Sequence, residues 1–228
     1  LAVGAGKVSV TTSGLQQYDI MARSVAAQVT GEGRRDTLVG CAPVNLESRD
    51  EACARQFLKK VGRLLYRRPL TDAELDARVE NANVATDKFG NFYEGLEMGL
   101  AGMLVAPQFI FRQETSEPDP QSPGSLRLDA FSKASRLSFF LWNSEPDDQL
   151  LAAAANGELH DSRGIARQVE RMVASPRLKI GVRAFFSDLL EFDKFDELSK
   201  DAEIFPKFNF IAAEDAKEQT LRTAVDHL

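Results

Sequence analysis

Three groups of neighbouring carboxylates could perform acid–base chemistry: Asp147 with Asp148, Asp188 with Glu191, and Glu214 with Asp215. The first pair follows the only tryptophan, Trp142, and two carboxylates beside an aromatic wall would suit glycoside hydrolysis. Adjacent residues on a helix diverge by about 100°, however, so the two aspartates would not face each other. We therefore interpret these groups as solvent-facing and helix-end charges.

Nucleophilic catalysis and metal binding find little support in the sequence. Neither His160 nor His227 lies in a signature with Ser or Cys, and the G-x-S-x-G motif is absent. The motifs HExxH and CxxCH are also absent. Met98 and Met103 could be soft axial ligands, but neither shares a face with a histidine. The sequence therefore predicts no metal site, and we interpret both methionines as core residues.

One basic cluster, formed by Arg63, Arg67 and Arg68, could bind a carboxylate-bearing ligand in a bidentate manner. It could equally pair with Asp72, Glu74 or another helix end. We favour the structural interpretation, because arginine forks suit carboxylates of the protein itself as well as those of a ligand.

The two cysteines, Cys41 and Cys53, match no zinc pattern and no CxxC redox motif. A disulfide or two inert buried thiols are both compatible with their spacing. The redox compartment decides between these alternatives, and residue spacing alone leaves them open.

The composition is that of a folded globular protein, with 43% hydrophobic and 27% charged residues. The net charge of −6 argues against nucleic-acid binding and gives no support for attraction to an anionic membrane. The longest uncharged run, Met98–Phe111, is too short for a membrane span and contains Pro107. Because the chain starts without Met and ends in a helical pattern, we expect a piece of a longer polypeptide.

Helical periodicity and capping signals position these residues. Thr71 precedes Glu74 in a capping-box pattern, which predicts a helix from Asp72 to about Lys88 that ends at Gly90. The glycines of the following helix recur on nearly one face and predict close helix packing: Gly95, Gly99 and Gly102.

A later helix is predicted from Asp129, its N-cap, to Trp142. Its predicted buried stripe consists of Leu137, Phe140 and Leu141. Ser144 would end this helix and cap the next one, with Pro146 in the first turn. The stretch around Trp142 is thus interpreted as a corner between two helices.

These patterns predict an all-α fold: a bundle-like array in two packed helical units, with at most a short strand at Val8–Thr12. Residues 1–38 would be the tail of a preceding helical domain. The first helical domain would span 39–113, a linker rich in proline 114–125, and a second domain 126–228, expected to be incomplete at its C-terminal end.

Several motifs together resemble a specific pair of families. They are FLKKVGRLLYRRPLTDAEL, GNFYEGLEMGLAGMLVAPQFIFRQE, ASRLSFFLWNSEPDDQLLAAAANGEL, ARQVERMVASPR and IFPKF. In this order they resemble the domains of unknown function fifteen-ninety-five and fifteen-ninety-two, found together in large proteins of planctomycetes, myxobacteria and some proteobacteria. The resemblance covers roughly Cys41 to Leu228. It departs at Glu145, where the family pattern has an apolar residue.

The resemblance implies a periplasmic or secreted protein that carries c-type haem motifs near both ends, outside this chain. Haem c would then belong to the full-length protein, with none attached within the chain. The resemblance also implies a disulfide between Cys41 and Cys53, because the family has a cysteine pair at this place and the compartment is oxidising.

We therefore expect the helical middle region of a multihaem c-type-cytochrome-like redox protein, serving electron transfer or an oxidoreductase. The region would shape a haem or substrate pocket, with candidate cofactor contacts at Trp142, Arg67, Arg68 and His160. The alternative is a non-catalytic helical scaffold or binding module for a partner protein or a polysaccharide. The expected partners are the remainder of the polypeptide or a companion chain, and a redox partner under the first hypothesis.

Overall fold

A computed structural model describes residues 11–201 and 203–227 of the chain. The regular structure of this part is almost entirely helical, which confirms the all-α prediction. Its α-helices are α1 (Thr12–Thr30), α2 (Arg35–Leu38), α3 (Glu51–Leu65), α4 (Asp72–Phe89), α5 (Phe92–Leu104), α6 (Pro107–Ile110), α7 (Ala130–Trp142), α8 (Asp148–Ala155), α9 (Ser162–Val173), α10 (Leu178–Leu189) and α11 (Phe210–Asp226). Two 3-10 helices, Glu158–His160 and Phe192–Glu197, and an antiparallel pair of strands, β1 (Ser116–Pro118) and β2 (Leu126–Leu128), complete the regular structure of the described part.

The chain forms two compact units that divide between Ser132 and Lys133, inside α7. The first unit holds α1–α6 and the β-hairpin, and the second holds most of α7 together with α8–α11. The predicted linker, 114–125, contributes β1 and the turn of the hairpin. A domain is a part of the chain that folds independently, and compactness alone does not test this. The predicted domain limits therefore stay predictions.

The described part of the first unit begins with α1. The strand predicted at Val8–Thr12 falls mainly outside the described residues, and Thr12 already begins α1. The buried side chains of α1 are small, namely Ala22, Ala26 and Thr30. Met21 is 66% exposed, so this apolar side chain lies away from the face of α1 that packs on α5.

Helix α5 is the centre of the first unit and contacts α1, α3 and α4. Its sequence is apolar almost all round, which is typical of a helix surrounded by others. Leu96 and Met103 are fully buried, as are Phe57 and Leu58 of α3. Burial of these side chains against α5 forms the hydrophobic core of the unit.

Glycines allow α5 to approach α4 closely, as predicted. A Cβ added at Gly95 would lie 2.0 Å from the Thr86 Oγ1 atom and 2.5 Å from the Ala82 carbonyl oxygen. At Gly99 it would lie 3.1 Å from the Ala82 Cβ. Gly102 differs, because a Cβ there would meet only the Arg78 Nη1 atom, at 3.4 Å. Gly95 is therefore required by the backbone of α4, whereas Gly99 makes a tight contact with a side chain of α4.

A disulfide ties the segment before α3 to the first turn of that helix. Cys41 and Cys53 are bonded, with their Cα atoms 5.7 Å apart. Asp50, the N-cap of α3, accepts a hydrogen bond from the Cys53 amide at 2.9 Å. The pairing implied by the resemblance is therefore present, and it stabilises the loop mainly by restricting the unfolded chain.

The buried face of α7 differs from the predicted one. Asp129 does accept a hydrogen bond from the Ser132 amide, as its predicted capping role requires. However, Phe140 is 78% exposed, and the fully buried residues are Ala134, Ser138 and Trp142. Burial of Trp142 fixes this face, and a residue two positions earlier points about 200° away from it. The predicted stripe was therefore wrong at Phe140.

Replacement of Gly95 by Ala tests the close contact of α4 with α5. We expect Gly95→Ala to lower the free energy of unfolding by about 2–3 kcal/mol, because the new methyl group overlaps backbone atoms of α4. Gly102→Ala is the matched control, and it should be neutral or stabilise by up to about 1 kcal/mol through helix propensity. Urea unfolding measures both, and equal effects would contradict the proposed contact.

Candidate functional site

Trp142 lies at the end of α7 in a cluster of polar contacts. The ring is 1% exposed, and its Nε1 atom donates a hydrogen bond to the Met172 carbonyl oxygen at 3.0 Å. The Arg177 guanidinium lies 4.2 Å from the ring centroid, and the Arg171 guanidinium lies 5.5 Å from it. The indole thus contacts two cations and has its only donor satisfied, which is a stable arrangement for a buried tryptophan.

The two arginines connect this ring to the start of α8. Arg171 donates to both carboxylate oxygens of Asp147, at 2.6 and 3.0 Å. Arg177 donates to the Ser144 hydroxyl and, at 3.0 Å, to the Glu145 carbonyl oxygen. We call Trp142, Asp147, Arg171 and Arg177 the tryptophan corner. All of its members belong to the second unit.

Asp147, rather than Ser144, caps α8. Its side chain accepts a hydrogen bond from the Leu150 amide at 2.8 Å. The helix starts at Asp148, so Pro146 precedes the cap and does not lie in the first turn. The prediction that Ser144 caps α8 was therefore wrong. The Ser144 hydroxyl accepts from Arg177 instead, and this partner lies too far along the chain for a local pattern to reveal.

Opposing effects set the pKa of Asp147. Burial raises this pKa, but hydrogen bonds from Arg171 and the Leu150 amide, with the positive charges of Arg171 and Arg177, lower it below the ordinary value. Asp147 is therefore ionised at neutral pH. A carboxylate held by a helix end and an arginine is a poor general acid or base, which needs a pKa near the working pH.

Arg67 closes the end of α3 from a left-handed backbone conformation, with φ of 57°. The side chain is buried, and its guanidinium donates to the carbonyl oxygens of Leu65 (3.1 Å), Gln108 (2.7 Å) and Phe111 (2.9 Å). Burial lowers the pKa of Arg67, and the neighbouring charge of Arg112 contributes. Arg67 thus supplies donors and positive charge to carbonyl groups around the ends of α3 and α6.

Arg68 holds the start of α4. Its guanidinium forms a bidentate pair with Glu74, at 2.8 and 2.7 Å. Glu74 also accepts from the Thr71 amide, and Thr71 accepts from the Glu74 amide, which confirms the predicted capping box. The Arg68 hydrogen bond, with help from Thr71, lowers the pKa of Glu74 to about 2. Arg63, the third member of the basic cluster, lies in the last turn of α3.

His160 ends a 3-10 helix in the second unit, and its Nδ1 atom lies 3.2 Å from the Lys133 Nζ atom. Arg67 and Arg68 belong to the first unit, whereas Trp142 and His160 belong to the second. Each of these four candidate residues therefore contacts a neighbour within its own unit. These contacts are all between residues of the chain, so they do not test haem binding, which remains a prediction.

One carboxylate of each of the three groups forms an ion pair, and in the first group it is Asp147 with Arg171. Glu191 pairs with Lys194, and Glu214 lies 2.6 Å from the Lys217 Nζ atom.

Within residues 11–201 and 203–227, no group of three or more His, Cys, Asp or Glu side chains could hold a metal ion. The helices of this same part include none that is long and apolar enough to cross a membrane.

Sequence reasoning missed Arg171 and Arg177, which complete the tryptophan corner. Arg171 lies 24 positions after Asp147, and Arg177 lies 33 positions after Ser144. No periodic pattern links residues at such separations. Both arginines do lie in the motif ARQVERMVASPR, whose likeness to the family pattern was the one signal available for this region.

Replacement of Asp147 by Asn tests the tryptophan corner. The Asn side chain still caps α8, but it leaves the half-buried Arg171 guanidinium without its carboxylate. We expect this variant to lose about 2 kcal/mol of the free energy of unfolding at pH 7. Urea unfolding monitored by Trp142 fluorescence measures the loss. Asp161→Asn is the control, because Asp161 caps α9 and has no ion pair among the described residues. The control should change stability by less than about 0.5 kcal/mol. A similar loss in both variants would contradict a special role for Arg171.

Replacement of Glu74 by Gln tests the capping network by its pH dependence. Gln retains the capping-box pattern but removes the charge that pairs with Arg68. Because the folded protein lowers this pKa from 4.5 to about 2, the carboxylate contributes stability above pH 4.5 and loses that contribution as the pH falls towards 2. Glu74→Gln should cost about 1 kcal/mol at pH 7. The difference from wild type should shrink across that window, and a constant difference down to pH 2 would contradict the assignment.

Comparison with known families covers both parts of the chain. Residues 53–114 match the family described as PSD5, protein of unknown function (DUF1595). Residues 128–228 match the family described as PSD4, protein of unknown function (DUF1592). No curated protein and no solved structure matches the chain. The chain thus contains one region that matches each of the two families that its motifs resemble, DUF1595 followed by DUF1592.

Proposed function

We propose that this chain is a non-catalytic helical scaffold that holds a companion polypeptide, either the remainder of its own chain or a separate partner. One observation carries the proposal: the polar side chains best suited to chemistry are engaged in holding helix ends. Arg67 binds backbone carbonyls, Arg68 binds Glu74, and Asp147 caps α8 while it binds Arg171. Such side chains position backbone rather than substrate.

Exposed apolar side chains support a docking role for the second unit. Phe140 is 78% exposed, and Phe210 and Ile211 at the start of α11 are 62% and 68% exposed. Single exposed apolar residues are ordinary, but adjacent ones of this size are typical of surfaces that contact another polypeptide. The scaffold proposal therefore favours a protein partner over a polysaccharide.

The disulfide supports an extracytoplasmic location. Disulfides persist in oxidising compartments and are rare in the reducing cytosol. The Cys41–Cys53 bond would clip the loop before α3 in the periplasm or outside the cell. This location agrees with the one implied by the sequence motifs.

The second candidate is the redox function: the helical middle of a multihaem c-type-cytochrome-like protein, with haem c bound elsewhere in the full-length polypeptide. The resemblance and the disulfide favour it. Three of its four candidate contacts favour the scaffold instead, because Arg67 and Arg68 already donate to internal acceptors and Trp142 is 1% exposed. The cysteines, bonded to each other, offer no thiol for covalent attachment.

Titration of the chain with ferric haem tests the scaffold proposal. We expect no saturable Soret band, because no candidate side chain is available without the loss of an internal contact. Arg68→Ala should change only the thermal unfolding temperature. Arg55→Ala is the control, since Arg55 lies on α3 and, like Arg68, forms ion pairs, here with the exposed carboxylates of Glu51 and Asp76.

A saturable Soret band would overturn the scaffold proposal if Arg68→Ala lowers the affinity for haem at least about tenfold and Arg55→Ala leaves it unchanged. The visible spectrum and a haem stain of the full-length native protein test the redox candidate separately. Absence of a Soret band there would refute it, whereas a band in the full-length protein and none in the chain would support a scaffold within a haem protein.

A further inference from the structure

A groove of about 430 Å³ lies in the first unit over one face of α5. Helix α5 forms the floor, and helices α1 and α4 line the two sides. The floor residues recur at helical spacing: Met98, Ala101, Gly102 and Val105. The volume falls in the range of small-molecule sites, roughly 300–1,000 Å³.

Small residues give the groove its depth. Ala101 and Gly102 stand side by side on the floor, and a Cβ at Gly102 would meet only the Arg78 Nη1 atom at 3.4 Å. The close-packed Gly95 has no such room, because its Cβ would strike α4. Gly102 therefore leaves space that the packing of α4 and α5 does not fill.

Apolar side chains line most of the remaining surface. Met98 is a flexible floor residue, and Val84 of α4 is 55% exposed beside it in the lining. A ligand body of hydrocarbon would bury these groups and gain the usual free energy of removing apolar area from water. The polarizable thioether of Met98 can adjust to different ligand shapes.

The residues that line the groove carry a more positive net charge than the chain as a whole. Lys88 and Arg23 line it with one carboxylate, Asp19, although the whole chain carries a net charge of −6. Asp19 is taken by Arg23, at 2.8 Å. No carboxylate of the described residues forms an ion pair with Lys88, whose ammonium lies 5.6 Å from the Phe89 ring centroid. Lys88 is therefore the cation best placed to receive an anionic ligand.

We propose that this groove binds a small amphipathic carboxylate, with the hydrocarbon body over Met98 and Gly102 and the carboxylate at Lys88. The ammonium of Lys88 would form a charge-assisted hydrogen bond with the ligand. Arg23, fixed by Asp19 and by a 3.2 Å contact from its Nη1 atom to the Met98 sulfur, forms the opposite side. The site lies wholly within the first unit and is independent of the scaffold function.

Decanoate and methionine NMR test this proposal. Protein labelled with ¹³C at the methionine methyl groups has four probes: Met21, Met98, Met103 and Met172. Met98 lies in the groove, Met21 is exposed on α1, and the other two are buried. We expect decanoate, kept below its micelle concentration, to shift the Met98 signal saturably and to leave the Met21 and Met172 signals in place.

Variants separate the charge from the apolar body. Lys88→Gln should weaken decanoate binding about tenfold, and the neutral analogue decanol should bind wild type about tenfold more weakly than decanoate. Lys60→Gln on α3, outside the groove, should bind as wild type does. Gly102→Leu should fill the floor and abolish the shift of Met98, with the unfolding temperature reporting an intact fold.

Three results would overturn the proposal. A Met98 signal that decanoate does not move would exclude the site. Met21 and Met98 signals that drift together without saturation would indicate general surface adsorption. Equal binding by Lys88→Gln and wild type would exclude recognition of the carboxylate.

Discussion

The backbone groups at helix ends are the constraint on which the rest of this structure depends. Each helix leaves its first amides and last carbonyls without partners inside the helix. A chain built from many short helices has many such ends relative to its length, and it must satisfy them with side chains or neighbouring backbone. Arg67 does so for carbonyls near α3 and α6, and Asp147 does so for the first turn of α8.

This constraint explains why the residues that look chemical are structural. A carboxylate beside a tryptophan, or two arginines in sequence, resembles a ligand site when only residue types are considered. In the folded chain the same groups form closed networks, in which Arg171 satisfies Asp147 and Arg68 satisfies Glu74. Closed networks fix geometry but leave little capacity for a substrate. This is the physical basis of the proposed scaffold role, in which exposed apolar surface would recognise a partner by its shape.

Local signals in the sequence predicted much of the fold but not the contacts between residues far apart in the chain. The capping pattern at Thr71 and the left-handed position at Gly90 each depend on a few consecutive residues, so both ends of α4 were predictable. Asp147, the observed cap, and Ser144, the predicted one, are bound by Arg171 of α9 and by Arg177 before α10, and no local pattern encodes these contacts. The exposure of Phe140 likewise follows from the burial of Trp142 against distant groups. The candidate site was therefore located by its motif, whereas its role became clear only from the tertiary contacts.

The hairpin of α4 and α5 has a consequence for the order in which the first unit folds. Its two helices are joined by the single tight turn at Gly90 and meet through residues that are close in sequence, so little chain entropy opposes their pairing. Helix α1 reaches the same core over a much longer separation, illustrated by the 75 positions between Arg23 and Met98. We therefore expect the hairpin to form early in folding and α1 to pack on it late.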